Sequence, residues 1–172
     1  MSILSDYDIR KAIKDGRIIL SLDISSDCFQ PASLELHLGN HIIRFNSDGE
    51  SFDQFYLTEQ ILTIKSQEFL LAETLESIAI DNTLAANVEG KSSLGRQGIF
   101  IHISAGFIDP GFNGILTLEV YNASPITRTL RINQKFCQIK FQELKTPAER
   151  PYGHKELGSH YQNSTKVEKS KL

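Results

Sequence analysis

Between residues 17 and 143 the chain is a series of short apolar runs, each ended within a few residues by Gly, Pro, Asn, Asp or Ser. Runs of this length suit strands and leave no room for helices that bury a face. Strands are expected at residues 17–22, 33–38, 42–45, 54–58, 61–64, 68–74, 77–80, 84–88, 99–104, 115–122, 127–132 and 136–143, with turn residues such as Ser47-Asp48-Gly49 and Asp81-Asn82 between them. In residues 33–38 strict alternation places Leu34, Leu36 and Leu38 on one face, and Gly39-Asn40 ends the strand. Ahead of the series, Ser5-Asp-Tyr-Asp8 is a capping-box variant before Ile9 and Ile13, with Gly16 as the stop; residues 5–15 therefore predict a short amphipathic helix. Many short strands at close spacing predict an all-β, mainly antiparallel sandwich or barrel instead of βαβ units. No internal repeat is visible.

A length of 172 residues fits one domain, 1–172, with a substantial core, and 40% apolar and 23% charged residues are ordinary globular values. No apolar run approaches the roughly 18 residues of a membrane span. Met1-Ser-Ile-Leu-Ser-Asp has neither a basic n-region nor an apolar h-region, so a cytosolic protein with no membrane partner is expected. Cys28 and Cys137 stand far apart and outside any C-x-x-C pattern, which predicts buried free thiols, not a zinc site or a disulfide. A formal charge of -3 gives no global reason to bind nucleic acid. The charge is uneven, because from Lys145 onward the chain carries net +3. Pro147, Pro151, Gly153 and Gly158 break regular structure there, and residues 164–172 are polar and lysine-rich. Residues from about 151 to 172 are expected to be mobile unless something holds them. Tyr152 and Tyr161, aromatics in a polar stretch, fit either a solvated end or a flap that closes over an anion.

The chemistry-bearing residues concentrate between Glu89 and Asn122. Gly90-Lys-Ser-Ser-Leu-Gly-Arg-Gln-Gly98 offers backbone N–H groups, the hydroxyls of Ser92 and Ser93, and the cations Lys91 and Arg96 in one turn. Such a turn either cradles phosphate or is a polar surface loop; it is not a P-loop, since the G-x-x-x-x-G-K spacing is absent. Asp109, in Ile108-Asp-Pro-Gly-Phe112, is either a turn-stabilising aspartate or an acceptor for a sugar hydroxyl or a water. In residues 115–121 the period of two puts Leu116, Leu118 and Val120 on one face and Thr117, Glu119 and Tyr121 on the other. Glu119 then either faces solvent or lines a pocket, where poor solvation would raise its pKa toward the range useful for proton transfer. His37, His41, His102, His154 and His160 make no metal-ligand pattern, and the H-x-E with P-C-x-x-C of zinc deaminases is missing. Deamination here would proceed without a metal activating the water.

Val88-Glu-Gly-Lys-Ser-Ser-Leu-Gly-Arg-Gln-Gly98, Ala105-Gly-Phe-Ile-Asp-Pro-Gly-Phe112 and Thr117-Leu-Glu119 resemble the motifs of dCTP deaminases in the dUTPase-like superfamily. The resemblance extends to Gln30-Pro-Ala-Ser-Leu-Glu-Leu-His-Leu-Gly39, Leu71-Ala-Glu-Thr-Leu-Glu76, Pro151-Tyr-Gly153 and Tyr161-Gln162, and so covers most of the chain. It implies a distorted jelly-roll or barrel, a homotrimer with nucleotide sites between subunits, and dCTP and dUTP as ligands, with dTTP as a candidate inhibitor. It makes Glu119 the general base and proton shuttle, with Ser92 and the carbonyl of Ala105 holding the water or the exocyclic group and Arg96 ordering the site. Ser93 would bind phosphate, Asp109 the sugar and Tyr152 the nucleotide; Lys91, Leu94, Gly95, Thr117, Leu118, His160 and Ser164 are the remaining implied contacts. Magnesium would arrive on the triphosphate, with no zinc. Gly106-Phe107 resembles the bifunctional branch, which also cleaves dUTP to dUMP and diphosphate, whereas single-activity members have His-Arg there. The tail departs from the family: His160 and Ser164 stand where a Lys and a Gln are usual, and histidine is a weaker, pH-dependent cation. The competing readings are a dUTP diphosphatase without deaminase activity and a non-catalytic nucleotide-binding regulator on the same fold.

Overall fold

A computed structural model of the chain describes residues 2–46 and 52–171. The turn read at Ser47-Asp48-Gly49 lies outside them. Helix α1 (Asp6–Lys14) forms where the capping box is, with Ser5 Oγ accepting from the Asp8 N–H and the Asp8 carboxylate accepting from the Ser5 N–H, both at 3.3 Å. Its apolar stripe buries Ile9 and Ala12. The chain continues as β1 (Ile18–Leu20), a 3-10 turn (Ser26–Cys28), β2 (Phe29–Gln30), β3 (Ser33–His37), β4 (His41–Phe45), β5 (Phe52–Tyr56), β6 (Ile61–Ile64), β7 (Phe69–Ile80) and β8 (Leu84–Gly90). After a one-turn helix α2 (Ser92–Gly95) come β9 (Ile99–Phe100), β10 (Phe107–Ile108), β11 (Asn113–Asn122), β12 (Arg128–Arg131) and β13 (Lys135–Glu143).

The strands make a six-stranded sheet, β5-β4-β7-β11-β9 with β1 also on β7, and a five-stranded sheet, β10-β8-β13-β3-β2; β12 and β6 form a separate ribbon. Among the described residues every strand pairing is antiparallel, as the all-β reading expects. The inward residues of both sheets join one apolar cluster: Leu34, Leu36, Ile139 and Phe141 from the second sheet meet Leu70, Leu118 and Val120 from the first, all at 0% exposure. Cys28 and Cys137 are buried free thiols, and burial pushes the Cys137 thiol up to about 12. Among the described residues no helix is long and apolar enough to cross a membrane.

The short strands β2 and β10, the 3-10 turn and α2 were not expected from sequence, β5 lies two residues earlier than read, and two further differences bear on the site. Residues 68–74 and 77–80 are one strand, β7, interrupted by a bulge: Ile115 faces Ser77 and Thr117 faces Glu73, so Thr74, Leu75 and Glu76 stand opposite the single residue Leu116. The Thr74 hydroxyl accepts from the Leu116 N–H at 3.2 Å and donates to the Glu76 carbonyl at 2.7 Å, which bridges the gap in the ladder. The strand expected over 99–104 stops at Phe100, because the backbone beyond it turns to meet a side chain of β11, as described below.

The tail finds its holding surface on the protein's own sheet. Ser164 bridges Gly114 in parallel, with the Ile115 N–H donating to the Ser164 carbonyl at 2.8 Å. Gly114 sits at φ +153°, and a Cβ there would lie 2.9 Å from the Ser164 nitrogen, so only glycine lets the tail approach this closely. Val167 is fully buried against Ile43 and Leu71. Its N–H donates to Glu73 at 2.8 Å, and the other Glu73 oxygen accepts from the His41 N–H at 3.3 Å. Burial pushes the Glu73 carboxyl above the usual carboxylate range, against the pull of those two donors. The titratable group facing it is the His41 ring, 3.8 Å away; burial and the charge of Lys166 hold that ring below the usual imidazole range.

An acid whose pKa is raised in the fold binds its proton more tightly there than in the unfolded chain. Its stabilising contribution is therefore present at low pH and lost as pH rises from the ordinary carboxylate range through the raised value. Glu73→Gln removes this dependence. The Tm of the variant relative to wild type is expected to climb across that window and then level off, whatever constant offset the lost second acceptor adds. A difference that stays flat across the window would show that Glu73 is ionised in the fold at the same pH as when unfolded.

Candidate active site

Beyond Gly90, Lys91 is extended and caps α2, whose Leu94 and Gly95 N–H groups both donate to the Lys91 carbonyl at 3.0 Å. Leu94 is the one residue of this turn that enters the core, and it orients the rest: Ser92, Ser93, Gly95 and Arg96 are exposed. Gly98, at φ +79°, ends the turn against Ser124, where a Cβ would be strained by the backbone and lie only 3.0 Å from the Ser124 nitrogen. The two cations of the motif part company. Lys91 forms an ion pair with Glu35 of β3, whereas the Arg96 guanidinium has no partner among the described residues. Lys91, Ser92, Gly95, Phe100, His102 and Gln138 border an open cleft of about 360 Å³.

Strand β11 alternates as expected, with Leu116, Leu118 and Val120 inward and Thr117, Glu119 and Tyr121 outward. Glu119 is half-buried. One of its oxygens, Oε2, accepts from the backbone N–H groups of Ile103 at 3.1 Å and Ser104 at 3.2 Å, and Oε1 has no partner among the described residues. This is why β9 ends early: the segment after it bends so that its N–H groups reach the carboxylate. The segment is closed by the Gly106 carbonyl, which accepts from the Val88 N–H at 2.7 Å and leaves Ala105 exposed at its crest. A Cβ on Gly106 would come within 2.8 Å of the His102 ring. His102 borders the same cleft as Ser92, and its Nδ1 is buried with no hydrogen-bond partner among the described residues. His102 was not singled out from sequence, where the five histidines together make no metal-ligand pattern. The available signal was Gly106, a residue without a side chain beside the bulky Phe107.

The turn at Asp109 is made by its backbone, with the Phe112 N–H donating to the Asp109 carbonyl at 3.1 Å and Gly111 at φ +86°. The Asp109 side chain is exposed and has no partner among the described residues, so it is not spent on the turn. The tail grips this turn: the Tyr152 N–H donates to the Pro110 carbonyl at 2.7 Å and the Gln162 amide to the Gly111 carbonyl at 2.9 Å. The Tyr152 ring packs 5.8 Å from that of Phe112, and its hydroxyl accepts from the Tyr161 N–H at 3.0 Å. Asp109, Arg150, Tyr152 and the exposed His160 border a second cleft of about 490 Å³. Ser164 is buried in its bridge to Gly114. Farther on, the Glu168 N–H donates to the Thr117 hydroxyl at 3.2 Å, which brings the tail within two residues of Glu119 along the outer face of β11.

The residues singled out from sequence thus fall into three groups. Lys91 to Arg96 form the exposed turn; Ala105, Thr117, Leu118 and Glu119 meet around β11, with Leu118 in the core; Asp109, Tyr152, His160 and Ser164 belong to the tail and the turn it grips. The first two are linked through β9, where Phe100 pairs with Tyr121. Chemically, the arrangement presents a carboxylate with one oxygen fixed and one open, a hydroxyl-rich turn and an uncommitted guanidinium. That set can activate a water and hold a polyanion.

Comparisons with known proteins agree on one lineage. The sequence profile of the dCTP deaminase-like family matches residues 3–144. A relative from Methanothermobacter thermautotrophicus, named dCTP deaminase, dUMP-forming, is 40% identical over 186 residues, covering 100% of this chain and 94% of the relative. Among solved structures, 2'-deoxycytidine 5'-triphosphate deaminase from Agrobacterium tumefaciens superposes with a TM-score of 0.70 at 24% identity, over 83% of this chain and 48% of that one. A dUTPase of phage phi11 of S. aureus, described with a coordinated structural Mg(II) ion, superposes with a TM-score of 0.51 at 13% identity, over 76% of this chain and 93% of its own. The two structures share the fold.

Proposed function

Because the chain belongs to the dCTP deaminase-like family, we propose that it deaminates dCTP and carries the product on to dUMP and diphosphate. The observation that supports this best is the Glu119 carboxylate, pinned through Oε2 by two backbone N–H groups and open at Oε1. In this reading Oε1 takes a proton from water as the water oxygen bonds to C4 of cytosine. The proton passes to N3 of the ring. Glu119 then moves the remaining hydroxyl proton to the exocyclic amine, the C4–N4 bond breaks, ammonia leaves, and a carbonyl remains at C4. Ser92 and the Ala105 carbonyl would orient the water and the amine. Fixed dipoles in a partly enclosed site lower the barrier because they need no reorganisation as charge develops.

For the second activity Asp109 would position a water whose oxygen attacks the α-phosphorus of dUTP; the bond to the bridging oxygen breaks, diphosphate leaves, and the water's proton passes by way of the Asp109 carboxylate to solvent. Gly106-Phe107 and the unpartnered Asp109 carboxylate beside Arg150 and His160 support this step. Among the described residues no three His, Cys, Asp or Glu side chains gather as a metal site, and the free Arg96 guanidinium with Ser93 suits a polyanion that arrives with its own magnesium. Magnesium on the triphosphate would offset the charge of the polyanion. dTTP, with the same sugar and triphosphate, would compete for the site. Phe100, Ile103 and Phe107, at 51%, 57% and 57% exposure beside the Glu119 segment, support a homotrimer that covers them.

Incubation of the pure protein with dCTP and magnesium is expected to release ammonia, dUMP and diphosphate in equal amounts without accumulating dUTP, and added dUTP is expected to be cleaved. Accumulation of dUTP from dCTP would overturn the coupled reading. Attack on dUTP alone would make the protein a diphosphatase, and turnover of neither would overturn both.

A further inference from the structure

A one-turn helix has almost no stability of its own, since nucleation costs more than one turn of hydrogen bonds returns. Helix α2 also lacks a side-chain cap, because its cap residue is Lys91. The turn that presents Ser92 and Arg96 is therefore held from below. Leu94 is one anchor. The others come from the outer face of the second sheet, where Glu35, Gln138 and Glu89 stand side by side on β3, β13 and β8. The Gln138 amide donates to the Gly90 carbonyl at 3.0 Å and accepts from the Ser33 hydroxyl at 2.9 Å, fixing the end of β8. Next to it Glu35, only 8% exposed, pairs through one oxygen with Lys91 and through the other with Lys135 at 3.5 Å; Lys135 in turn pairs with Asp27 at 2.6 Å. A carboxylate this enclosed persists because two ammonium groups cover it, and cutting one link strands the remaining charge.

Resting on the function proposed above, we infer that Glu35 is a positioning residue for the reaction. Through Lys91 it fixes the start of α2, and with it the direction in which the Ser92 hydroxyl and the Arg96 guanidinium face the cleft. The Lys91 ammonium is thereby committed beneath the turn, and the charge presented to the nucleotide is that of Arg96. Glu35 touches no reacting atom; its effect passes through the turn.

The test compares Glu35→Gln, Lys91→Gln and the double variant with the wild-type chain by amide hydrogen exchange and by dCTP kinetics. Exchange at the Leu94, Gly95 and Arg96 amides is expected to rise about tenfold in Glu35→Gln, with β7 and β13 amides unchanged. The kcat/KM is expected to fall about tenfold, with kcat lowered through Ser92 and KM raised through Arg96, and the double variant to be no worse than the poorer single one, since both cut the same link. Glu35→Asp, which keeps the charge but retracts it by one methylene, should show the same local signature and serves if Glu35→Gln does not fold. Unchanged exchange in α2, acceleration spread over both sheets, or multiplying effects in the double variant would each overturn the assignment. Should the wild-type chain turn over neither nucleotide, the functional reading fails, and exchange in α2 still decides for or against Glu35.

Discussion

Glu119→Gln is expected to bind dCTP with near wild-type affinity and to lose turnover by about 10⁴-fold, the upper end for one general base, because in the proposed mechanism this carboxylate serves both proton transfers. The geometry makes the substitution clean. The amide oxygen of glutamine can take the place of Oε2 and keep accepting from the Ile103 and Ser104 N–H groups, so the segment after β9 has no reason to move. The amide nitrogen then occupies the open position of Oε1. It donates where the reaction needs an acceptor, and it cannot carry a proton from water to the ring. Calorimetric titration with dCTP and an ammonia-release assay separate the two effects. A variant within tenfold of the wild-type rate would remove Glu119 from the chemistry, and a variant that no longer binds would make it a ligand contact instead of a base.

Removal of residues 163–172 is expected to weaken nucleotide binding about 10- to 100-fold and to lower stability by about 1.5–3 kcal/mol, the worth of burying one Val-sized side chain. The deletion takes away the Ser164 bridge to Gly114, the Val167 side chain between Ile43 and Leu71, and the bond from Glu168 to Thr117. It leaves the grip of Tyr152 and Gln162 on the Asp109 turn in place. Docking of Val167 between Ile43 and Leu71 holds the tail on the protein's own sheet, which limits how much of it nucleotide binding must order. Equal affinity in the full-length and shortened proteins would show that the tail plays no part in holding the ligand.

What the sequence made legible was whatever depends on neighbours two or four residues apart. The faces of β3 and β11, and with them the outward position of Glu119, follow from period-two alternation, and α1 follows from its capping box. Helix α2 was readable only as a turn, because four residues are too few to show a period. The pairing of Lys91 with Glu35 spans 56 positions and that of Val167 with Glu73 spans 94, and no local pattern encodes either. The sequence reading therefore gave Lys91 as one of two cations in the turn, with no partner, and the tail without a stated anchor. The bulge in β7 was misread as a gap between two strands, since Thr74-Leu75-Glu76 breaks the alternation as a turn would.

That bulge also governs which changes of length the protein can tolerate. Opposite Leu116, β7 carries three residues where a regular ladder needs one, a surplus of two, and an even surplus leaves every side chain beyond it on its original face. Loss of one residue there would leave a surplus of one, the ordinary bulge, which keeps Glu119 outward but removes the geometry that sets the Thr74 hydroxyl between the Leu116 N–H and the Glu76 carbonyl. Loss of two would merely straighten the strand. A change of length at this point is therefore felt as lost hydrogen bonds around Thr74, not as a strand turned over.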